Sequence, residues 1–159
     1  MSERDDIYTR PHESVADFEF NSAVARVFPD MIKRSVPGYA ETVAMSGIIA
    51  ARYAQPGTNL YDLGCSLGAV TLAMRHALKN SDCRIIGIDN SQSMLERAGH
   101  YLALDDEGPE VDLVCADICD YPIENASVTA LNFVLQFIEP EKRLSLLSRI
   151  AEASCDGGA

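Results

Sequence analysis

The 159-residue chain predicts an α/β fold, a parallel sheet flanked by helices, on two observations. From residue 57 onward, short apolar runs suited to strands alternate with amphipathic runs suited to helices, the order that builds parallel strands joined by crossovers. The first of those strands then ends in a glycine-bearing loop, Asp62-Leu63-Gly64-Cys65-Ser66-Leu67-Gly68, that feeds directly into a helix. Composition is ordinary for a globular domain, 47% hydrophobic and 23% charged. A chain of this length buries about 70% of its unfolded surface, enough for a true core.

The elements follow in order. Residues 1 to about 20 are polar and irregular, with Pro11 opposed to a continuous helix. From Asn21 to Lys33, Val24, Val27, Phe28, Met31 and Ile32 recur at helical spacing, with an interruption expected at Pro29. Pro37-Gly38 punctuates, and a second helical pattern runs from about Tyr39 to Tyr53. Gln55-Pro56-Gly57-Thr58 is a turn. The chain therefore divides into a helical cap segment, 1–56, and a sheet-bearing domain, 57–159. In the latter, strands are expected at Leu60–Leu63, Arg84–Ile88, Val111–Cys115 and Val128–Phe133. Helices are expected at Ala69–Leu78, Ser93–Leu104 and from Pro140 to about Ala153. Ser93 and Glu96 fit a capping box, and Pro140 suits a first helical turn, where its missing N–H would be unpaired anyway.

Charge and cysteine usage narrow the function. A net charge of −11 opposes direct nucleic-acid binding, which relies on clustered Lys and Arg, and suits a small cationic ligand. The five cysteines (65, 83, 115, 119 and 155) show no paired C-x-x-C spacing, and the three histidines are scattered, so neither a disulfide framework nor a metal site is expected. Glu3, Asp5 and Asp6 with no apolar run after them do not form a signal peptide, and no stretch has the length of a membrane span. A cytoplasmic protein without membrane contact is the expectation.

In a parallel sheet the ligand lies beyond the carboxyl ends of the strands, so the residues just after each strand carry the chemistry. Gly64 and Gly68 allow a sharp turn and close backbone approach; taken alone, they also suit a turn with no ligand. Ser66 occupies the place where a dinucleotide fingerprint wants its second glycine, which disfavours a pyrophosphate. Asp89 ends the second strand, where an acid accepts hydrogen bonds from ribose hydroxyls. Asp117 follows the third strand; taken alone it suits a solvated loop acid, and as the third strand-end feature in register it is placed to take an adenine amino group beside an apolar neighbour. Asn132 closes the fourth inside an apolar run and needs a partner, since an unpaired buried amide costs roughly 1–3 kcal/mol. Carboxylates at the ends of the second and third strands and no phosphate cradle favour a cationic nucleoside, which S-adenosylmethionine is.

The order Asp-Leu-Gly, strand-end Asp, then Cys115-Ala116-Asp117-Ile118 resembles a Rossmann-like class I methyltransferase fold. Phe28-Pro29-Asp30-Met31-Ile32-Lys33-Arg34-Ser35-Val36-Pro37-Gly38-Tyr39 and Tyr61-Asp62-Leu63-Gly64-Cys65-Ser66-Leu67-Gly68 narrow the resemblance to the carboxy-S-adenosyl-L-methionine synthase family. So do Ile88-Asp89-Asn90-Ser91 and Leu131-Asn132-Phe133 with Leu135-Gln136-Phe137. The likeness implies that Gly64, Cys65 and Ser66 line the methionine and sulfonium side, that Asp89 and Asn90 hold the ribose region, and that Asp117 and Ile118 hold adenine. Asn132 and Tyr39 would complete the pocket, Tyr39 being also readable as an ordinary buried aromatic. Phe28 and Met31 are assigned to the core, and Cys65 to packing in the loop rather than to nucleophilic chemistry.

The family uses S-adenosyl-L-methionine and prephenate to make carboxy-S-adenosyl-L-methionine and phenylpyruvate, without a metal, for modification of a tRNA wobble uridine. It forms homodimers. Gly157-Gly158 would lead into a fifth strand, and the family's carboxylate-holding arginine would lie beyond residue 159. The chain thus reads as C-terminally truncated, with the fourth strand left as an open apolar edge, and no catalytic residue is assigned. An S-adenosylmethionine-dependent methyltransferase and a non-catalytic ligand-binding remnant share the same pocket residues.

Overall fold

The computed structural model describes residues 22–159 except 80 and 106. The expectations for the irregular N-terminal stretch and its Pro11 lie outside the described residues. The elements are α1 (Ser22–Ser35), α2 (Tyr39–Tyr53), β1 (Thr58–Leu63), α3 (Ala69–Ala77), β2 (Cys83–Asp89), α4 (Gln92–Leu102), β3 (Glu110–Cys115), β4 (Ala126–Ala130), a short 3-10 turn at Leu135–Phe137, and α5 (Pro140–Ala153). The four strands form one parallel sheet in the order β3-β2-β1-β4. This is the class I methyltransferase arrangement.

Burial on both faces explains why the central strands read as near-continuous apolar runs. Leu60 of β1 and Ile85 of β2 pack with Val128 of β4 against Ala50 of α2, Val70 and Met74 of α3, and Leu78 just after it. Tyr61 and Leu63 of β1, with Ile86 and Ile88 of β2, point the other way, onto Leu146 of α5, Ile118 and Ile123. Leu60, Leu63, Ile85 and Ile88 are fully enclosed, each worth about 1.5–3 kcal/mol of burial. A third cluster joins Val24, Ala25 and Phe28 of α1 to Leu67 and to Met94 of α4.

Four local expectations are corrected. Helix α1 runs unbroken through Pro29. A proline in a helix interior costs about 3 kcal/mol, and burial of Val24, Ala25 and Phe28 on one side of it offsets that penalty. The N-cap of α4 is Ser91, whose hydroxyl accepts from the Met94 amide at 3.3 Å; Ser93 lies inside the first turn. Strand β4 ends at Ala130 rather than Phe133, because Phe133 takes a left-handed conformation (φ 59°) that breaks an extended run. The outer edge of β4 is also partly paired rather than open. The Cys155 amide donates to the Ala126 carbonyl at 2.8 Å, the Ala159 amide to Ser127 at 2.9 Å, and the Thr129 amide to Ala159 at 2.8 Å. Among the described residues, no helix is long and apolar enough to cross a membrane.

Candidate ligand-binding site

The parallel sheet brings every strand-end segment to one side. There they wall a cavity of about 500 Å3, within the size range of small-molecule sites. All nine residues singled out from the sequence line it: Tyr39, Gly64, Cys65, Ser66, Asp89, Asn90, Asp117, Ile118 and Asn132. α1 closes one wall with Phe28, Met31 and Ile32. Phe28 and Met31 are therefore cavity-lining as well as packed in the α1–α4 cluster, and the assignment to core alone was incomplete.

The loop after β1 is held by a small set of polar contacts. Gly64 sits at φ 77°, a conformation open to glycine, and a Cβ there would lie 2.4 Å from Val134 Cγ2. The amides of Gly64 and Cys65 both donate to the Ile88 carbonyl, at 2.8 and 2.9 Å. Ser66, where a dinucleotide site would carry glycine, is itself left-handed (φ 52°). Its amide donates to Asp89 Oδ2 at 2.9 Å, and the Ser91 amide donates to Asp89 Oδ1 at the same distance. Asp89 thus ties the glycine loop to the start of α4 while lining the cavity. Two non-glycine residues with positive φ, Ser66 and Phe133, flank the same cavity, and strain of this kind concentrates at functional sites.

Asp62 was not singled out from the sequence, yet it lines the cavity and is 2% exposed. The Thr71 amide and hydroxyl both donate to its Oδ2, at 2.9 and 2.7 Å. The third amide of helix α3 is therefore spent on Asp62. The signal was present, an acid at the penultimate position of β1, one residue before the last of the strand and two before Gly64.

The electrostatics follow from burial. Burial pushes the Asp62 carboxyl up to about 6, against the two Thr71 hydrogen bonds that favour its charge; the neighbouring Asp89 adds to the rise. Asp89 is likewise raised by burial, opposed by the Ser91 and Ser66 amides. The Tyr39 hydroxyl is raised by burial and by the charge of Asp62. Burial, then Asp62 and Asp89, hold the Cys65 thiol well above its ordinary value, which leaves it a packing residue rather than a nucleophile.

The remaining residues complete the rim. Asp117 is exposed and accepts from the Cys119 amide at 2.8 Å, beside buried Ile118. Asn132 lies past the end of β4, and its side-chain amide donates to the Ser46 hydroxyl on α2 at 3.0 Å, the partner its position demands. Tyr39 opens α2 and faces Phe133, with ring centroids 6.1 Å apart. Gln136 and Phe137, from the 3-10 turn, also line the cavity. Among the described residues, no cluster of His, Cys, Asp and Glu suited to a metal ion is present.

Comparison with known proteins places this geometry. A family model of the methyltransferase domain matches residues 60–158. Carboxy-S-adenosyl-L-methionine synthase from Marinobacter nauticus is 57% identical over 142 residues, covering 89% of this chain and 57% of that protein. The proteins of the same name from Pseudomonas aeruginosa and Escherichia coli are 51% and 48% identical, each covering all of this chain and 66% and 64% of their own length. The chain thus spans somewhat under two thirds of the curated relatives it matches. Among solved structures, magnesium protoporphyrin IX methyltransferase from Synechocystis PCC 6803, determined with bound SAH, superposes with a TM-score of 0.60 at 21% identity, over 87% of this chain and 58% of that one. A cyclopropane synthase from Mycobacterium tuberculosis gives 0.58 at 15%, over 73% and 40%. At such identities these two report the fold alone. With the domain match spanning more than half its length, the chain belongs to the methyltransferase-domain family.

Proposed function

We propose that this chain carries the S-adenosyl-L-methionine pocket of a carboxy-S-adenosyl-L-methionine synthase. The observation that carries the reading is the convergence of all nine expected residues on one cavity. Identity of about half to relatives bearing that name supports it. In this reading Gly64, Cys65 and Ser66 face the methionine and sulfonium end, Asp89 and Asn90 the ribose, and Asp117 and Ile118 the adenine, with Asn132 and Tyr39 closing the pocket. One buried carboxylate, Asp62, and one part-buried, Asp89, with no Lys, Arg or His among the described residues that line the cavity, suit a cationic nucleoside.

Prephenate is the carboxyl donor in this proposal. Prephenate loses carbon dioxide and hydroxide as it becomes phenylpyruvate; a methyl proton leaves the sulfonium substrate and combines with that hydroxide to give water, and the resulting carbanion forms a bond to the carbon dioxide. The product would serve a separate enzyme that modifies a tRNA wobble uridine, in keeping with an acidic chain that need not touch nucleic acid itself, and with a cytoplasmic setting. No metal is invoked. Homodimerisation is part of the proposal, supported by the apolar side chains Met45 and Ile48 left 53% and 61% exposed on α2. Sedimentation showing only monomer at high concentration would remove it.

Mass spectrometry of small molecules released on denaturing the purified protein tests the main reading. The carboxylated sulfonium is the expected result, and recovery of no nucleoside opposes it. S-adenosylmethionine alone, with label passing to a methyl acceptor, points to a methyltransferase instead. Asp89→Ala is expected to weaken adenosyl-ligand binding at least about tenfold, roughly 1.4 kcal/mol. Unchanged affinity in a folded variant takes Asp89 out of the site.

A further inference from the structure

We infer that Asp62 is the group through which this pocket exchanges a proton for a cationic ligand, so that a positively charged nucleoside binds with loss of a proton and a neutral one does not. The inference rests on the reading of the cavity as a sulfonium-nucleoside site and adds a residue and a pH response to it.

The geometry carries it. Asp62, the penultimate residue of β1, lines the cavity and is 2% exposed. Both hydrogen bonds recorded for its side chain among the described residues, from the Thr71 amide and hydroxyl of α3, go to Oδ2. Oδ1 is left to whatever fills the cavity. The titratable groups that face Asp62 are Asp89 from β2, Tyr39 from α2 and Cys65 from the loop after β1, none of which carries positive charge. No Lys, Arg or His among the described residues lines the cavity. A buried carboxylate in such surroundings lacks a counter-charge until a cation enters, and a cation nearby favours its ionised form. Burial raises its proton affinity to about 6, which brings the exchange into an accessible pH range.

The linkage has a definite sign. Below about pH 6 the empty pocket holds a proton on Asp62 that a cation must displace, so affinity falls as pH falls. Above it the carboxylate is already charged, and affinity levels off.

The test is isothermal titration calorimetry of the whole chain with S-adenosylmethionine and with adenosine, from about pH 5 to about pH 8, in buffers of different ionisation enthalpy. The sulfonium nucleoside is expected to bind about tenfold more weakly near pH 5 than near pH 7, with proton release, and adenosine to show a flat profile. Because both ligands present a ribose to Asp89, titration of that residue affects both and is separated out. Asp62→Asn is expected to flatten the S-adenosylmethionine profile. Thr71→Val, which removes one donor that favours the charge, is expected to move the midpoint to higher pH. If both ligands bind with the same pH dependence in the unaltered protein, this inference is overturned while the pocket reading stands. If neither binds near pH 7, the pocket reading falls and takes the inference with it.

Discussion

Replacing Asp62 by Asn removes a buried charge while keeping a carbonyl oxygen for the two Thr71 donors. The carboxyl moves from an ordinary value of 3.8 to about 6 on folding, with burial as the main cause. At about 1.4 kcal/mol per pH unit, that rise corresponds to roughly 3 kcal/mol. Because the folded-state value is the higher one, the favourable contribution is fully present below about pH 4 and is lost as pH rises through about 6. Above that range the native protein carries the full cost of an enclosed carboxylate. An asparagine carries none of it, although its new N–H2 group faces the cavity with imperfect pairing, a loss of about 1 kcal/mol.

Asp62→Asn is therefore expected to stabilise the protein by about 2 kcal/mol near pH 7.5 and to leave it no more stable than the parent near pH 4. Urea unfolding followed by circular dichroism at the two pH values measures both numbers; with no tryptophan in the chain, intrinsic indole fluorescence is not an option. The net charge of −11 acts on parent and variant alike, so the difference between the two at each pH isolates the one residue. A variant less stable than the parent near pH 7.5, or one whose advantage is the same at both pH values, refutes the reasoning.

Two further outcomes follow from packing and exposure. A Cβ at Gly47 would lie 2.8 Å from the Ala73 carbonyl oxygen of α3, a backbone atom that cannot swing aside. Gly47→Ala is expected to destabilise by about 1–2 kcal/mol, overpacking outweighing the gain in helix propensity, and to weaken adenosyl-ligand binding because α2 carries Tyr39 and Ser46. A thermal melt at or above the parent's midpoint contradicts this. Among the thiols, Cys115 is exposed while Cys65 is 5% exposed with its thiol held protonated. Cys115 is expected to react first with a thiol reagent under native conditions, and peptide mapping that finds Cys65 modified ahead of it contradicts the burial argument.

The strand-end residues were legible because a parallel sheet leaves little freedom in where they go. Once the strands ending at Leu63, Asp89 and Cys115 are in register, Ser66, Asp89 and Asp117 must share one rim, whatever the loops do. Helical spacing carries less information. It identified the apolar side of α1 but could not say that Phe28 and Met31 on that side border a cavity, because that depends on where α1 sits relative to the sheet. The end of β4 was misplaced because nothing in Leu131-Asn132-Phe133 announces a left-handed phenylalanine; the turn places Asn132 against Ser46 and Phe133 against Tyr39, both on α2. Asp62 was passed over for a related reason. Along the chain it reads as the last polar residue of a strand, and what sets it apart is enclosure by α3 and the glycine loop, visible only once α3 is in place. That enclosure raises the cost of its charge at neutral pH and makes the same charge available, without competing water, to a cation in the cavity. A neutral residue there would fold more readily and hold a sulfonium less well, and the two measurements on Asp62→Asn separate these effects in a single variant.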